Sequence, residues 1–420
     1  MLLPLILLSL VGPILSGIIS DGSRLQQHAA KRIKCHLYER PYNNPKLPRD
    51  YPLLPRHDIF FQFPSPTKHL YWAECAKRRF VDLISSVKED KEKYENHKNI
   101  SPLSYFTSPK ARRTPFIIHP KSLGGGGFGA VYSGSWFIDP SGDGVPVAIK
   151  LISKASFANS LASLKRDVLG SFGMYAVAPD VTTRILDIYL EHPTHWIIIL
   201  EKGDIDLFNW IDEHTYARKE GESKEMAMVS EKTLRTFMLP LIQGLLTYSD
   251  IGGVHGDIKP ENILLFRNKD GSYRAKITDF GASGHRKDPH FGTYPIGTSS
   301  YLPKEWANNP QEWNVDPRKA LKRYQDVDAF ALAATLHAAL HAPYGDIITT
   351  EHCDEHTSAS FFPYRKVSPS LALIFDRFLQ PGKWYNDPKP LSAMRSLIGK
   401  WKKEPLTQAS SISWITFVRK

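Results

Sequence analysis

The chain has 420 residues, of which 42% are hydrophobic and 23% charged, as in a globular protein able to bury a sizeable core. Its three cysteines are too few for a disulfide scaffold and show no CxxC spacing, which argues against zinc. The net charge of +11 is concentrated in residues 21–115, which carry 19 Lys and Arg against 10 Asp and Glu. This uneven balance argues against a core that reads nucleic acid, and it suits an arm that meets an acidic partner or an anionic membrane surface.

Residues 1–20 carry no charged side chain and are almost entirely apolar. The run is interrupted by prolines and ends in small residues, which favours a secretory signal peptide cleaved near Gly17 or Ser20. A short membrane anchor is the alternative, but a spanning helix needs about 20 uninterrupted apolar residues, and Pro13 breaks this run. We therefore expect a protein of the secretory pathway, secreted or held in a secretory organelle.

A basic extension follows over residues 21–114. Its first part, to residue 66, is rich in proline and basic residues and predicts an extended or irregular arm. Residues 68–98 predict a helix, because apolar side chains recur near a 3.6-residue period at Leu70, Ala73, Phe80, Leu83, Ile84 and Val87. Two interpretations stay open: a helix packed on the following domain with a solvated basic face, or a helix lying on a membrane surface.

A glycine-rich segment follows a strand that begins at Phe116. The pattern G-x-G-x-x-G-x-V is formed by Gly124, Gly126, Gly129 and Val131. Without Cβ atoms, the glycines let backbone N–H groups approach a phosphate closely. A Rossmann turn would need a helix next, but β-like sequence and a turn follow, so the segment predicts a β-hairpin rather than a dinucleotide turn or a flexible linker.

The strand predicted at 145–152 reads VPVAIKLI and contains Ala148 and Lys150. A lysine inside an apolar strand must find an anionic partner or leave a desolvated charge. Farther along, residues 254–265 read VHGDIKPENILL, and Asp279-Phe280-Gly281 follows. This places a carboxylate, Asp257, on a short loop where it can accept a proton from a hydroxyl. Asn262 and Asp279 add the hard oxygen ligands that Mg²⁺ prefers.

Taken together, these motifs resemble the glycine-rich, catalytic and metal-binding loops of eukaryotic protein kinases of the serine/threonine type. The resemblance implies a two-lobed α+β fold over residues 115–405. The N-lobe, residues 115–201, would be a small antiparallel sheet with one helix, and the C-lobe, residues 202–405, mainly α-helical. Residues 406–420 would form a tail. The implied activity is transfer of the γ-phosphoryl group of ATP, with Mg²⁺, to protein hydroxyls.

The resemblance also implies the roles of the central residues. Asp257 would orient and deprotonate the hydroxyl, and Lys259 would neutralise charge on the moving phosphoryl group. Lys150 would fix the α- and β-phosphates, while Asn262 and Asp279 would hold Mg²⁺. The residues expected around ATP are Gly124, Gly126, Gly129, Val131, Ala148, Lys150, Glu201 and Asp206.

Within the nucleotide site, Leu200 would be the gatekeeper, and Glu201 with Lys202 would present backbone to adenine. Asp206 is equally well read as a ribose contact or as a helix N-cap. Thr298, in the Gly-Thr segment, and Lys259 together favour a serine/threonine rather than a tyrosine kinase.

The chain departs from the family pattern in several places. The helix glutamate expected to pair with Lys150 is not evident, since residues 153–190 contain no Glu. On the helix predicted at 161–169, Asp167 is the only acid, yet alignment on Val168-Leu169 puts Lys165 at the glutamate position. Gly256 replaces an arginine that commonly pairs with a phosphate on the activation loop, which implies activity without that phosphate. Asp326 would brace the catalytic loop from beneath, and His255 would be structural.

A kinase domain behind a signal peptide, with a basic extension and a His-Gly-Asp loop, resembles the rhoptry kinases that apicomplexan parasites secrete into host cells. That narrower resemblance implies host or vacuolar proteins as substrates and docking of the basic extension on an anionic membrane. The alternative to an enzyme is a pseudokinase, a nucleotide-binding or partner-binding scaffold. A kinase of small molecules is a third, less favoured interpretation.

Overall fold

The computed structural model describes residues 66–99, 116–126, 129–137, 144–190, 192–216, 229–286, 297–303, 317–341, 367–379 and 390–405. All of them lie within one unit of the chain, Pro52–Lys420. The predicted signal peptide, the arm up to residue 65 and the predicted tail at 406–420 lie outside the described residues.

The basic extension contributes two helices, α1 (Pro66–Ser85) and α2 (Lys91–His97), where the sequence predicted one. In α1 the buried side chains follow helical spacing at Ala73, Ala76, Phe80 and Ile84. This face packs against helix α3 (Phe157–Val177) of the following domain. The packing of α1 on the following domain agrees with the first of the two interpretations. The apolar side chains of Ala73, Ala76, Phe80 and Ile84 are buried here and are not free to insert into a membrane.

An antiparallel sheet of five strands, in the order β1-β2-β3-β5-β4, forms the N-lobe with α3. The strands are β1 (Phe116–Gly126), β2 (Gly129–Trp136), β3 (Val145–Ser153), β4 (Ile185–Tyr189) and β5 (His195–Glu201). The direct antiparallel pairing of β1 with β2 confirms the predicted hairpin. One face of the sheet is covered by an apolar cluster that includes Trp136, Ile149 and Ile199.

The C-lobe is mainly helical. Its helices are α4 (Leu207–Tyr216), α5 (Glu231–Asp250), α6 (Pro317–His341), α7 (Pro369–Phe378) and α8 (Pro390–Lys403). The short strands are β6 (Ile205–Asp206), β7 (Gly253–Val254), β8 (Ile263–Arg267), β9 (Tyr273–Ile277) and β10 (Gly284–His285). Ser230 caps α5, because its Oγ accepts the Thr233 N–H at 3.0 Å.

The C-lobe core is a single apolar cluster centred on α5 and α6, and it extends under the strands β8 and β9. Those two strands frame the loops that follow Val254 and Ile277, so the core fixes the position of the candidate site. The predicted two-lobed α+β fold is confirmed. Within the part of the chain that the structure describes, none of the helices combines the length and the apolar character needed to cross a bilayer.

Candidate active site

One face of the N-lobe sheet gathers the residues predicted to surround a nucleotide. Ala148 and Lys150 are two positions apart on β3 and so point to the same side of the sheet. Val131 pairs directly with Lys150, and Leu200 pairs directly with Ala148, which puts all four side chains on one face. The apolar cluster containing Ile149 covers the opposite face.

The glycine-rich hairpin lies at the edge of this sheet. Gly124 pairs with Val131, and Gly126 pairs with Gly129 at the end of the ladder. Gly129 has a φ of 136°, and a Cβ atom there would lie 2.3 Å from the Leu151 carbonyl oxygen. Only glycine fits at this position, so the hairpin depends on a residue that leaves its backbone open.

Lys150 is buried at the centre of an ionic cluster. Its Nζ donates to Asp167 Oδ2 at 2.6 Å and to Asp279 Oδ1 at 2.7 Å. Asp167 comes from α3, and its other oxygen, Oδ1, accepts the Phe280 N–H at 2.9 Å. A single aspartate therefore links the strand lysine to the segment that follows Asp279.

The charges of this cluster depend on one another. Burial alone would lower the pKa of Lys150, but attraction to Asp167 and Asp279 outweighs it and holds the pKa above its usual range. Burial raises the pKa of Asp167, and Lys150 opposes this only in part. For Asp279 burial alone would raise the pKa, but the attraction to Lys150 together with the hydrogen bonds from Lys150 and from the Gly281 N–H outweighs it, so the pKa is lowered. The lowered pKa keeps Asp279 ionised, and its side chain is 29% exposed.

The structure corrects the alignment of α3 made from the sequence. Lys165, which that alignment placed at the glutamate position, is exposed, whereas Asp167 is buried and makes the ion pair. Two residues on a helix differ by about 200° in direction, so a shift of two positions exchanges the buried and the exposed face. The buried positions Leu164, Val168 and Phe172 mark the inward face, which includes Asp167.

A second cluster forms around the catalytic loop. Asp257 Oδ1 accepts the Thr298 hydroxyl at 2.7 Å, and Asp257 Oδ2 lies 3.0 Å from Lys259 Nζ. Lys259 Nζ also donates to Thr298 Oγ1 at 2.7 Å. Asn262 Nδ2 donates to the backbone oxygen of Asp257 at 2.8 Å and to its Oδ2 at 3.1 Å. The carboxylate is held in one orientation by a hydroxyl, an ammonium and an amide.

His255 is buried beneath this loop and acts as a brace, as predicted. Its Nδ1 accepts the Asp257 N–H at 3.3 Å, so the proton is assigned to Nε2, which donates to the Thr278 carbonyl at 3.0 Å. Burial lowers the pKa of the His255 ring and keeps it neutral. The ring also contacts Phe280 edge to face, with centroids 4.8 Å apart.

The aspartate that braces the loop from beneath is Asp328, and the prediction of Asp326 was wrong. The two oxygens of Asp328 accept the backbone N–H groups of His255 and Gly256, each at 2.8 Å. Burial raises the pKa of Asp328 to about 7. Asp326, two positions earlier on α6, instead pairs with Lys322 at 3.1 Å. Gly256 has a φ of 82°, which suits glycine better than the arginine it replaces.

Glu201 and Asp206, which the sequence predicted to contact the nucleotide, belong to neither cluster. Glu201 Oε1 accepts hydrogen bonds from Lys276 Nζ at 2.6 Å and from the Arg184 N–H at 2.8 Å. Its side chain therefore binds other residues of the protein. Its backbone contact to adenine stays a prediction. Asp206 Oδ1 accepts the Asn209 N–H at 2.9 Å, which is the geometry of an N-cap on α4. Of the two predicted roles of Asp206, the helix N-cap is the one observed in the structure.

The residues present fit a Mg²⁺ site completed by a nucleotide. Among the described residues, no cluster of three or more His, Cys, Asp and Glu side chains is arranged to hold a metal unaided. Mg²⁺ in nucleotide sites is commonly held by one or two protein oxygens together with phosphates. Asp279, ionised and partly exposed, and Asn262, whose amide nitrogen is turned to Asp257, supply donors of this kind. Asp279 also has a φ of 60°, rare for residues other than glycine.

The two clusters are thus a strand lysine held by two acids and a loop aspartate beside a lysine. The protein kinase domain family matches residues 118–364, more than half of the chain. The chain therefore belongs to the protein kinase domain family.

Individual relatives agree with this assignment. The chain is 24% identical over 271 residues to the serine/threonine-protein kinase dkf-1 of Caenorhabditis elegans, covering 63% of this chain and 34% of that protein. It is 31% identical over 200 residues to the serine/threonine-protein kinase pim-2 of Danio rerio, covering 44% of this chain and 57% of that protein. The chain thus spans between about a third and about three fifths of the length of these relatives, which are serine/threonine kinases.

Proposed function

We propose that this protein kinase is an active enzyme that uses ATP and Mg²⁺ to phosphorylate serine or threonine hydroxyls of proteins. The contact between Lys150 and Asp279 carries the proposal. These side chains are 129 positions apart and meet at 2.7 Å, on the face of the N-lobe sheet opposite the apolar cluster. The relatives named above, which are serine/threonine kinases, support the same activity.

The residues divide the work between the two clusters. Asp257 accepts the proton of the substrate hydroxyl; its Oδ1 already accepts one hydroxyl hydrogen, from Thr298. Lys259, beside the same carboxylate, offsets negative charge where the phosphoryl group moves. Lys150 binds phosphate oxygens, and Asp279 with Asn262 would hold Mg²⁺. ATP with Mg²⁺ supplies the phosphoryl group when bound, and positioning with charge neutralisation accounts for the acceleration.

A pseudokinase scaffold is the second candidate, and the missing helix glutamate is the observation that favours it. Asp167 weakens that argument, because it makes the ion pair that the glutamate would make. Transfer of label from [γ-³²P]ATP by the wild type and by Asp257→Ala separates the two candidates. An enzyme gives phosphoserine or phosphothreonine only with the wild type; equal labelling from both proteins, or none from either, excludes it.

The finer assignments belong to the same proposal. Residues 1–20 act as a signal peptide, residues 21–114 as an extension and residues 115–405 as the kinase domain. The apolar run, the basic extension and the His-Gly-Asp loop support a secreted kinase similar to the rhoptry kinases, with host or vacuolar proteins as substrates. Any contact with an anionic membrane would rest on charge, since Ala73, Ala76, Phe80 and Ile84 of α1 are buried. Detection of the uncleaved chain in the cytosol would contradict this localisation.

The proposal also covers activation. Position 256 carries no cationic side chain that could pair with a phosphate on the activation segment, so turnover needs no phosphate there. Phosphatase treatment should leave the activity in place, and its complete loss would contradict this part of the proposal.

A further inference from the structure

Helix α3 has two glycines in its interior, Gly170 and Gly173, and each packs against a neighbour. Glycine is a poor helix former, because it loses more backbone freedom on folding than alanine does. Gly170 is also buried, so contact of the helix backbone with solvent does not explain why a side chain is absent there. What lies next to each glycine therefore decides its role.

A side chain at Gly170 would collide with the segment that follows Asp279. A Cβ atom there would lie 2.1 Å from Ser283 Oγ and 3.0 Å from both Ser283 Cβ and Phe280 Cβ. Ser283 is itself held in place, since its N–H donates to the Phe280 carbonyl at 2.9 Å and its Oγ donates to the Arg166 carbonyl at 3.0 Å. Rotating the serine hydroxyl away would still leave the two carbon contacts.

Gly170 lies three residues after Asp167, on the same face of α3. Asp167 spans the gap to two groups at once, Lys150 Nζ at 2.6 Å and the Phe280 N–H at 2.9 Å. An aspartate is one methylene shorter than a glutamate, about 1.5 Å of bond length. To make both contacts, the helix must lie close to residues 280–283.

We propose that Gly170 is a positioning residue for the nucleotide site: its missing side chain seats α3 close enough for an aspartate to hold Lys150. An alanine there must move carbon contacts from 3.0 Å to the usual separation of about 3.5–4.0 Å, so the helix retreats by roughly 0.5–1 Å. A retreat of that size takes the 2.6 and 2.9 Å bonds of Asp167 to or beyond the limit of a good hydrogen bond. The short side chain of Asp167 and the missing side chain of Gly170 therefore depend on each other.

A double-mutant cycle in the full chain tests this pairing. The variants are Gly170→Ala, Asp167→Glu and the double variant, each measured for affinity to a fluorescent ATP analogue with Mg²⁺ and for the midpoint of thermal unfolding. Gly173→Ala, alone and with Asp167→Glu, is the matched control. It adds the same methyl group to the same helix, but its Cβ would meet Tyr248 Cε2 on α5, at 3.2 Å, rather than the segment after Asp279.

Gly170→Ala should weaken nucleotide affinity about tenfold, since overpacking displaces the acid that holds Lys150. Asp167→Glu should also weaken it, because the longer side chain does not fit the close helix. The double variant should recover most of the affinity and of the unfolding midpoint, since the longer acid spans the wider gap. Gly173→Ala should give no such recovery with Asp167→Glu.

Additive losses in the double variant, or equal recovery in the Gly173 pair, would overturn the inference. If Gly170→Ala is insoluble alone, return of folded protein in the double variant supports the pairing, and continued insolubility opposes it. The affinity measurement depends on the proposed function in one respect, which is that the protein must bind a nucleotide. A wild type that binds ATP without transferring phosphate would defeat the proposed function and leave the cycle interpretable. A wild type that binds no nucleotide leaves the unfolding midpoints to decide.

Discussion

The two sides of the candidate active site are assembled from the sequence in different ways. On the loop side, Asp257, Lys259 and Asn262 lie within six positions, and Thr298 completes the cluster. On the strand side, Lys150 meets Asp167 from a helix and Asp279 from a distant loop. The first arrangement depends on local spacing, whereas the second depends on how closely a helix is seated. A change in packing should therefore disturb the strand side while leaving the loop side in place.

Replacing Asp257 by asparagine tests the loop side and has the largest expected effect. An amide cannot accept the hydroxyl proton, so kcat should fall by about 10²- to 10⁴-fold. ATP affinity should stay unchanged, because Asp257 contacts Thr298, Lys259 and Asn262 rather than the Lys150 cluster. Phosphate transfer and nucleotide affinity are measured side by side, with the exposed Asp212→Asn on α4 as the control. A parallel loss of ATP affinity would show that the two sides of the site are not independent.

Truncating Phe80 tests the support of the strand side. Phe80 on α1 is 2% exposed and belongs to the face packed on α3, so Phe80→Ala should lower the free energy of unfolding by about 3–5 kcal/mol. The neighbouring Val81 is 40% exposed, and Val81→Ala should change it by less than about 0.5 kcal/mol. Urea unfolding of the full chain measures both. Equal small effects would mean that α1 is not part of the folded domain.

Two aspartates of α6 provide a test of the loop brace. Asp328→Asn puts an amide nitrogen opposite a backbone N–H, and it should lower the free energy of unfolding by about 1–3 kcal/mol and reduce kcat. Asp326→Asn loses the ion pair with the exposed Lys322 but keeps both hydrogen bonds from the loop backbone to Asp328, so kcat should be retained. Unfolding and turnover at neutral pH compare the two variants. A larger loss of stability and turnover from Asp326→Asn would show that Asp326 braces the loop, as the sequence had predicted.

The same brace should also make the stability depend on pH. Burial raises the pKa of Asp328 from 3.8 to about 7, so the folded chain keeps this proton at a pH where the unfolded chain has released it. That contribution to stability is complete below pH 3.8 and is lost as the pH rises through about 7. The stability difference between the wild type and Asp328→Asn should therefore shrink from pH 4.5 to pH 7.5. A difference independent of pH would contradict the raised pKa.

Much of this arrangement could be predicted because it depends on local spacing. The glycine-rich hairpin and the lysine strand β3 follow from periodicity and turn chemistry. Clustering of Asp257 with Asn262 follows from the short loop between them. These features need no knowledge of how distant elements pack.

Each of the two errors is a shift of two positions along a helix, but the reasons differ. Alignment on the neighbours Val168-Leu169 pointed to Lys165 rather than Asp167, although the buried stripe of α3 contains the aspartate. On α6 both Asp326 and Asp328 are buried, so burial could not choose between them. Only the position of the backbone donors beneath the catalytic loop decides, and that is a property of the folded chain.

Nucleotide binding with and without Mg²⁺ tests the division of the site most directly. For the wild type and for Asp257→Asn, Mg²⁺ should tighten the binding of ATP, since Asp279 remains to hold the ion. For Asp279→Asn the tightening should be lost. Retention of the Mg²⁺ effect in Asp279→Asn, or its loss in Asp257→Asn, would contradict the account.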